Sequence, residues 1–258
     1  MGSNDDHTGA VYIVIKAAVA LTSAAAMVSA FAWIGGVVMS QSNGKKSDKC
    51  VCGHDAASKA TSSTPANERS VWIQPKSGHL SSLQLCSHDV LPALTQGQVR
   101  VKVHAIGLNF ADIFAVLGLY AAASKTNLIP GLEFSGVVEQ VCKEDESQGK
   151  VAFPVGSKVF GVTRFGGYAT EINVQAQFLF KLPDDWNFVQ GAAFPVQALT
   201  AYHALVELGA VKAKKHVLIQ SGAGGVGINA IRLCQKLQAQ PYVTVSSESK
   251  AKFLAQEM

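Results

Sequence analysis

Charge is scarce in this chain: only 16% of its 258 residues are Asp, Glu, Lys or Arg. Twenty-two basic against eighteen acidic residues leave a formal +4 spread along the length, so neither a basic arm for nucleic acid nor an acidic tail is present. Cysteine is scarce as well. The five, at positions 50, 52, 86, 142 and 234, are odd in number and scattered, which speaks against a secreted disulfide framework and for reduced thiols in a cytosol-facing catalytic region. Residues 40–70 lack Leu, Ile and every aromatic side chain but hold nine Ser or Thr, so they have nothing with which to build a core and read as a flexible linker. Within it Cys50, Cys52 and His54 have metal-ligating chemistry without a fourth ligand or a folded frame, and read as linker thiols, with palmitoylation of Cys50 or Cys52 as an alternative.

What the chain does have is apolar residues, 48% of the total, enough for a sizeable core. They are not evenly spread. Residues 17–39 carry no charge, and 18 of these 23 are hydrophobic. As a helix the stretch would cover about 35 Å, against a hydrocarbon core of about 30 Å. A single-pass membrane anchor following a short flank, residues 1–16, is the expectation, with Trp33 as an interface anchor. Lys45, Lys46 and Lys49 on one side, against Asp5 and Asp6 on the other, would leave the C-terminal region in the cytosol. Two alternatives stay open: a secretory signal cleaved after Val28-Ser29-Ala30, and a two-part plastid leader with the same cleavage region.

From Val71 the pattern changes to short strands punctuated by Gly and Pro: Val71–Ile73, Val99–Val103, Val137-Val138, Lys158–Phe160 and Phe178–Leu182. A helical pattern from Gln190 to Leu208 follows, then a strand, Val217–Gln220. The strand runs into Gly222-Ala223-Gly224-Gly225-Val226-Gly227, a helix from Ile228 to Leu237, and a second strand, Tyr242–Val245. A G-x-G-x-x-G turn in this context is a dinucleotide site: Gly222 permits the tight turn, Gly224 lets backbone approach a pyrophosphate, Gly227 allows close helix packing, and the helix N-terminus, with Gly225 and Val226, offers N–H groups to the anion. A carboxylate ending the second strand would indicate NAD. Here Ser246 and Ser247 stand there, and Lys250 follows, which favours the 2′-phosphate of NADPH.

Further stretches carry a resemblance: Gly107-Leu108-Asn109-Phe110-Ala111-Asp112, Gly118-Leu119-Tyr120, Pro130-Gly131-Leu132-Glu133-Phe134-Ser135-Gly136, Val155-Gly156-Ser157-Lys158-Val159-Phe160-Gly161, Gly166-Gly167-Tyr168-Ala169 and Leu199-Thr200-Ala201-Tyr202-His203. Together with the glycine turn, they resemble the medium-chain dehydrogenase/reductase superfamily in its zinc-independent quinone oxidoreductase (zeta-crystallin-like) branch, including vesicle-membrane relatives. The resemblance implies an α/β plus β architecture: a GroES-like β domain over 71–200, then the first part of a Rossmann domain, a doubly wound parallel sheet, over 201–258. Only two Rossmann strands are reached, so an incomplete domain is expected, one needing further residues to be a competent enzyme.

The same resemblance implies site roles. Zinc relatives have Cys where Asn109 stands and His where Leu132 stands, so no metal site is expected, and Glu133, the carboxylate beside that position, is insufficient alone. Asn109 and Tyr120 are the candidate catalytic donors to a quinone or enone carbonyl oxygen as hydride arrives. Asn109 and Thr200 would also lie near the nicotinamide. Asp112 is expected to position rather than to act as an acid, and His203, in an apolar helix, to be structural. The departures are Val116, where relatives often carry a basic residue, Ser157 for Asp, and Gln238 for a glycine at a helix end, where left-handed backbone would favour glycine. Three functions remain: a membrane-anchored NADPH-dependent quinone or enone reductase, a catalytically silent membrane protein using a partial reductase fold for interaction, and an enoyl-thioester reductase. A homodimer is compatible with the resemblance, and nucleic acid is not an expected partner.

Overall fold

The computed structural model describes residues 68–258. The candidate anchor 17–39, the flank 1–16, linker residues 40–67 and the Cys50, Cys52 and His54 group lie outside them. Among the described residues no helix is long and apolar enough to cross a membrane.

In chain order the strands are β1 (Glu68–Lys76), β2 (Gln84–Val90), β3 (Gln98–Ile106), β4 (Thr126–Leu128), β5 (Glu133–Val141), β6 (Lys158–Val162), β7 (Glu171–Gln175), β8 (Leu179–Lys181), β9 (His216–Ile219) and β10 (Gln240–Val243). The helices are α1 (Phe110–Val116), α2 (Lys143–Ser147), α3 (Phe188–Ala192), α4 (Pro195–Tyr202), α5 (Gly225–Lys236) and α6 (Glu248–Glu257). Two compact units result, one running up to Val196 and the other from Gln197 to Met258.

The first unit is antiparallel β. Its five-stranded sheet has the order β7-β3-β5-β6-β8, and a three-stranded sheet has the order β2-β1-β4. Alternation decides the faces: Val99, Val101 and Val103 of β3 point inward with Ile172 and Val174 of β7, against Phe134, Val138 and Val159. Strand β5 is covered along much of its length, which is why Glu133-Phe134-Ser135-Gly136 reads as a nearly continuous buried run. Gly136 is required there, since any Cβ would overlap the backbone carbonyl of Lys102 on the neighbouring strand.

Three expectations need correction. Strand β1 starts at Glu68, inside the stretch read as linker, because Glu68 and Arg69 pair with Val90 and Asp89, and the Arg69 guanidinium donates to Asp89 at 2.7 Å. The helix expected from Gln190 to Leu208 is three pieces: α3, α4 and a π-helical turn, His203–Leu208. Pro195 explains the first break, since it excludes Phe194 from helical backbone and suits the first position of a new helix. Cysteine chemistry also differs: Cys142 and Cys234 are free and buried, whereas Cys86 is disulfide-bonded.

In the second unit β9 and β10 are parallel, with His216 opposite Gln240 and Ile219 opposite Val243. Helix α5 packs Ala230, Ile231 and Cys234 with Val217 and Ile219, together with Leu254 of α6. Parallel strands joined by a helix form the βαβ unit that the glycine turn implied.

Candidate functional site

In the first unit a buried polar network surrounds Asn109. This residue is the N-cap of α1, with extended backbone, and the third helical residue is Asp112. Asp112 Oδ2 accepts from the Asn109 backbone N–H at 2.8 Å and from the Tyr168 hydroxyl at 3.0 Å, and Oδ1 accepts from Gly131 N–H at 3.1 Å. One carboxylate thus ties together the start of α1, the approach to β5 and the loop before β7. Gly131 has φ +99°, and a Cβ there would lie 2.5 Å from the Tyr168 ring, so glycine lets that loop close over the network.

The Asn109 side chain faces the Asp112 backbone N–H in a capping box and also reaches Glu133. Its Nδ2 donates to Glu133 Oε1 at 2.7 Å, and Glu133 Oε2 accepts the Val196 N–H at 2.8 Å. Asn109, Asp112 and Glu133 are all buried. Burial dominates both acids, pushing Asp112 up to about 6 and Glu133 up to about 7 against the pull of their donors. The Tyr168 phenol is likewise held above its ordinary value by burial and by the Asp112 carboxylate. Tyr120 is buried with its ring edge-on to Phe165 at 5.9 Å. Burial raises its phenol too, opposed by the Arg164 charge and reinforced by Asp112.

The second unit holds the glycine turn. Gly222 N–H donates to the Thr244 carbonyl at 2.9 Å, joining the turn to the end of β10. A Cβ on Gly222 would lie 2.8 Å from Val243 Cβ, and one on Gly227 would lie 2.5 Å from the Ser221 carbonyl oxygen. Gly224 is the N-cap of α5 and offers no side chain to the first-turn amides. This glycine cradle opens onto uncapped helix N–H groups and so fits a pyrophosphate. At the end of β10, Lys250 Nζ donates to Ser246 Oγ at 3.0 Å. Ser247 instead caps α6, its hydroxyl accepting from Lys250 N–H at 3.4 Å. Thr200 is buried in α4, and His203, half-buried, opens the π-helical turn.

The expected site residues therefore fall into two groups: Asn109 and Tyr120 in the first unit, and Thr200, Gly222, Gly224, Gly225, Val226, Gly227, Ser246, Ser247 and Lys250 in the second. Sequence reasoning gave no role to Tyr168 and left Glu133 idle. The first had a legible signal, since a tyrosine following two glycines needs a partner for its hydroxyl once it is buried. The second had none, because Val196 is 63 residues away along the chain.

Residues 95–184 match the alcohol dehydrogenase GroES-like domain. The synaptic vesicle membrane protein VAT-1 homolog of Danio rerio is 36% identical over 165 residues, which is 64% of this chain and 33% of that protein. The quinone oxidoreductase of Thermus thermophilus, solved alone and in complex with NADPH, superposes with a TM-score of 0.61 at 30% identity, over 73% of this chain and 57% of that one. The CurK enoyl reductase does so with a TM-score of 0.65 at 27% identity, over 72% and 57%. The chain thus spans about a third of that curated relative and under two thirds of those structures. Its GroES-like β unit, its βαβ unit with a glycine turn and these likenesses agree in supporting the medium-chain dehydrogenase/reductase superfamily, in the branch that holds the quinone oxidoreductases.

Proposed function

We propose that this protein reduces quinones or α,β-unsaturated carbonyls with hydride from NADPH and without zinc. The observation that carries the reading is the glycine cradle between β9 and α5, whose first-turn amides have no side-chain cap. NADPH, when bound, supplies the hydride; the protein supplies orientation and charge stabilisation. Gly222, Gly224, Gly225, Val226 and Gly227 would hold the pyrophosphate, Lys250 with Ser246 the 2′-phosphate, with Ser247 beside them, and Asn109 and Thr200 the nicotinamide end.

As hydride reaches carbon, the carbonyl oxygen gains negative charge that hydrogen-bond donors must meet. Asn109 has a second Nδ2 proton beyond the one given to Glu133, and Tyr120 has its hydroxyl. A burial-raised phenol stays protonated and so remains a donor. Zinc has little support: Asn109 offers a carboxamide already bonded to Glu133, and Leu132 is a buried aliphatic, where thiolate and imidazole would be needed. The apolar stretch 17–39 would anchor the protein to a membrane with the reductase region in the cytosol.

Titration of the full-length protein with NADPH and NADH, then turnover against a panel of quinones and enones, tests the reading. Tighter binding of NADPH and its oxidation by at least one acceptor are expected. Equal binding of NADH would remove the cofactor assignment. The likeness to the CurK enoyl reductase favours a second reading, an enoyl-thioester substrate, and an enoyl thioester in the same panel distinguishes it.

A further inference from the structure

Asn109 is held by more than its backbone. A carboxamide has two unlike ends, a donor Nδ2 and an acceptor Oδ1, so which end is held decides what the other presents. Here Nδ2 is held by Glu133 Oε1 at 2.7 Å. The second Glu133 oxygen accepts the amide of Val196, the second residue of α4, at 2.8 Å. Glu133 is 0% exposed, and a Cβ on Gly107 would overlap its side chain, so it has no room to swing aside. Its two oxygens meet two donors from opposite sides.

We propose that Glu133 is a positioning residue, which sets the Asn109 carboxamide with Nδ2 toward itself, Oδ1 toward the Asp112 backbone N–H and the second Nδ2 proton turned away, and ties that setting to the first turn of α4. This rests on the reductase reading, in which Asn109 serves the carbonyl oxygen and the nicotinamide. A carboxylate of purely structural use would matter for folding, and the amide's orientation would be without consequence.

Glu133→Gln separates the two cases. The glutamine has one acceptor and one NH2. If its oxygen keeps the Val196 N–H, its NH2 faces Asn109, and because two donors repel, the Asn109 amide turns over. The bond between positions 109 and 133 is kept while the orientation reverses, and the turned NH2 then faces the Asp112 backbone N–H in place of Oδ1.

In 15N-labelled full-length protein, the Asn109 side-chain NH2 signals can be assigned by their loss in Asn109→Asp. The unaltered protein is expected to show a cross-relaxation contact between this NH2 and the Glu133 methylene protons, a measurement that needs no variant to fold. Glu133→Gln is expected to displace the NH2 signals, keep the melting temperature within a few degrees, and lower kcat about 10- to 100-fold, with KM for NADPH within about twofold. Glu133→Leu leaves both donors unpaired and is expected to lower the melting temperature as well. A missing contact in the unaltered protein, unmoved NH2 signals in Glu133→Gln, or displaced signals with full kcat would each overturn the proposal. If the unaltered protein reduces no quinone, enone or enoyl thioester, the reductase reading fails, and the NH2 signals alone decide whether Glu133 sets the amide.

Discussion

Asp112 accepts from three donors on three segments, and an asparagine there has only one acceptor oxygen. Asp112→Asn is therefore expected to lose about 1–3 kcal/mol of stability, measured by urea unfolding, although it removes no apolar contact. Its pH behaviour has the opposite sign to that of a surface carboxylate. Burial raises Asp112 from 3.8 to about 6 and Glu133 from 4.5 to about 7, so across that range the folded protein holds more protons than the unfolded chain. The stability these two groups contribute is complete below about pH 4 and is lost as pH rises through about 6 to 7. Melting temperatures across that window should decline in the unaltered protein and decline less steeply in Asp112→Asn. A flat profile in both would mean that the network's donors offset its burial. Asp112 was expected to be a positioning residue, and it accepts from three donors on three segments; Tyr168 went unread although a buried tyrosine needs a partner for its hydroxyl.

At the scale of elements, the turn between β9 and α5 and the end of α5 carry the sharpest expectations. Gly227→Ala would set a Cβ 2.5 Å from the Ser221 carbonyl oxygen and 2.7 Å from Gly222 Cα. The turn must open to admit it, at a cost of about 1–3 kcal/mol. NADPH affinity, read by titration, should fall with it. At the other end Gln238 has φ +58°, which is left-handed backbone, where sequence reasoning expected a glycine. Gln238→Gly should stabilise the protein by up to about 1 kcal/mol in thermal unfolding, the relieved strain exceeding glycine's extra chain entropy. The left-handed position was visible because the resembling family usually carries glycine at that helix end. The break before Pro195 was legible by a local rule, yet the periodicity across 190–208 masked it. The π-helical turn at His203–Leu208 has no counterpart in a local rule.

For the whole molecule, the predictions concern cofactor, metal and membrane. Lys250→Ala should narrow the preference for NADPH over NADH, measured by paired titrations; an unchanged ratio would remove Lys250 from the 2′-phosphate. Metal analysis of the purified protein should find no stoichiometric zinc. If residues 17–39 anchor the chain, full-length protein should stay with membranes through alkaline extraction, and protease added to the cytosolic face should remove the reductase region. What the sequence by itself determined was local: the alternation of β3 and the strand–glycine–helix–strand order, each set by residues near one another in the chain. Tertiary structure decided which distant groups meet. Glu133 bridging Asn109 and Val196, Tyr168 reaching Asp112, and Arg69 drawing linker residues into β1 all depend on contacts between segments far apart in the chain. Backbone periodicity carries no record of such contacts. A buried carboxylate is stable only where folding brings donors to it, and those donors come from whichever segments the sheet places alongside.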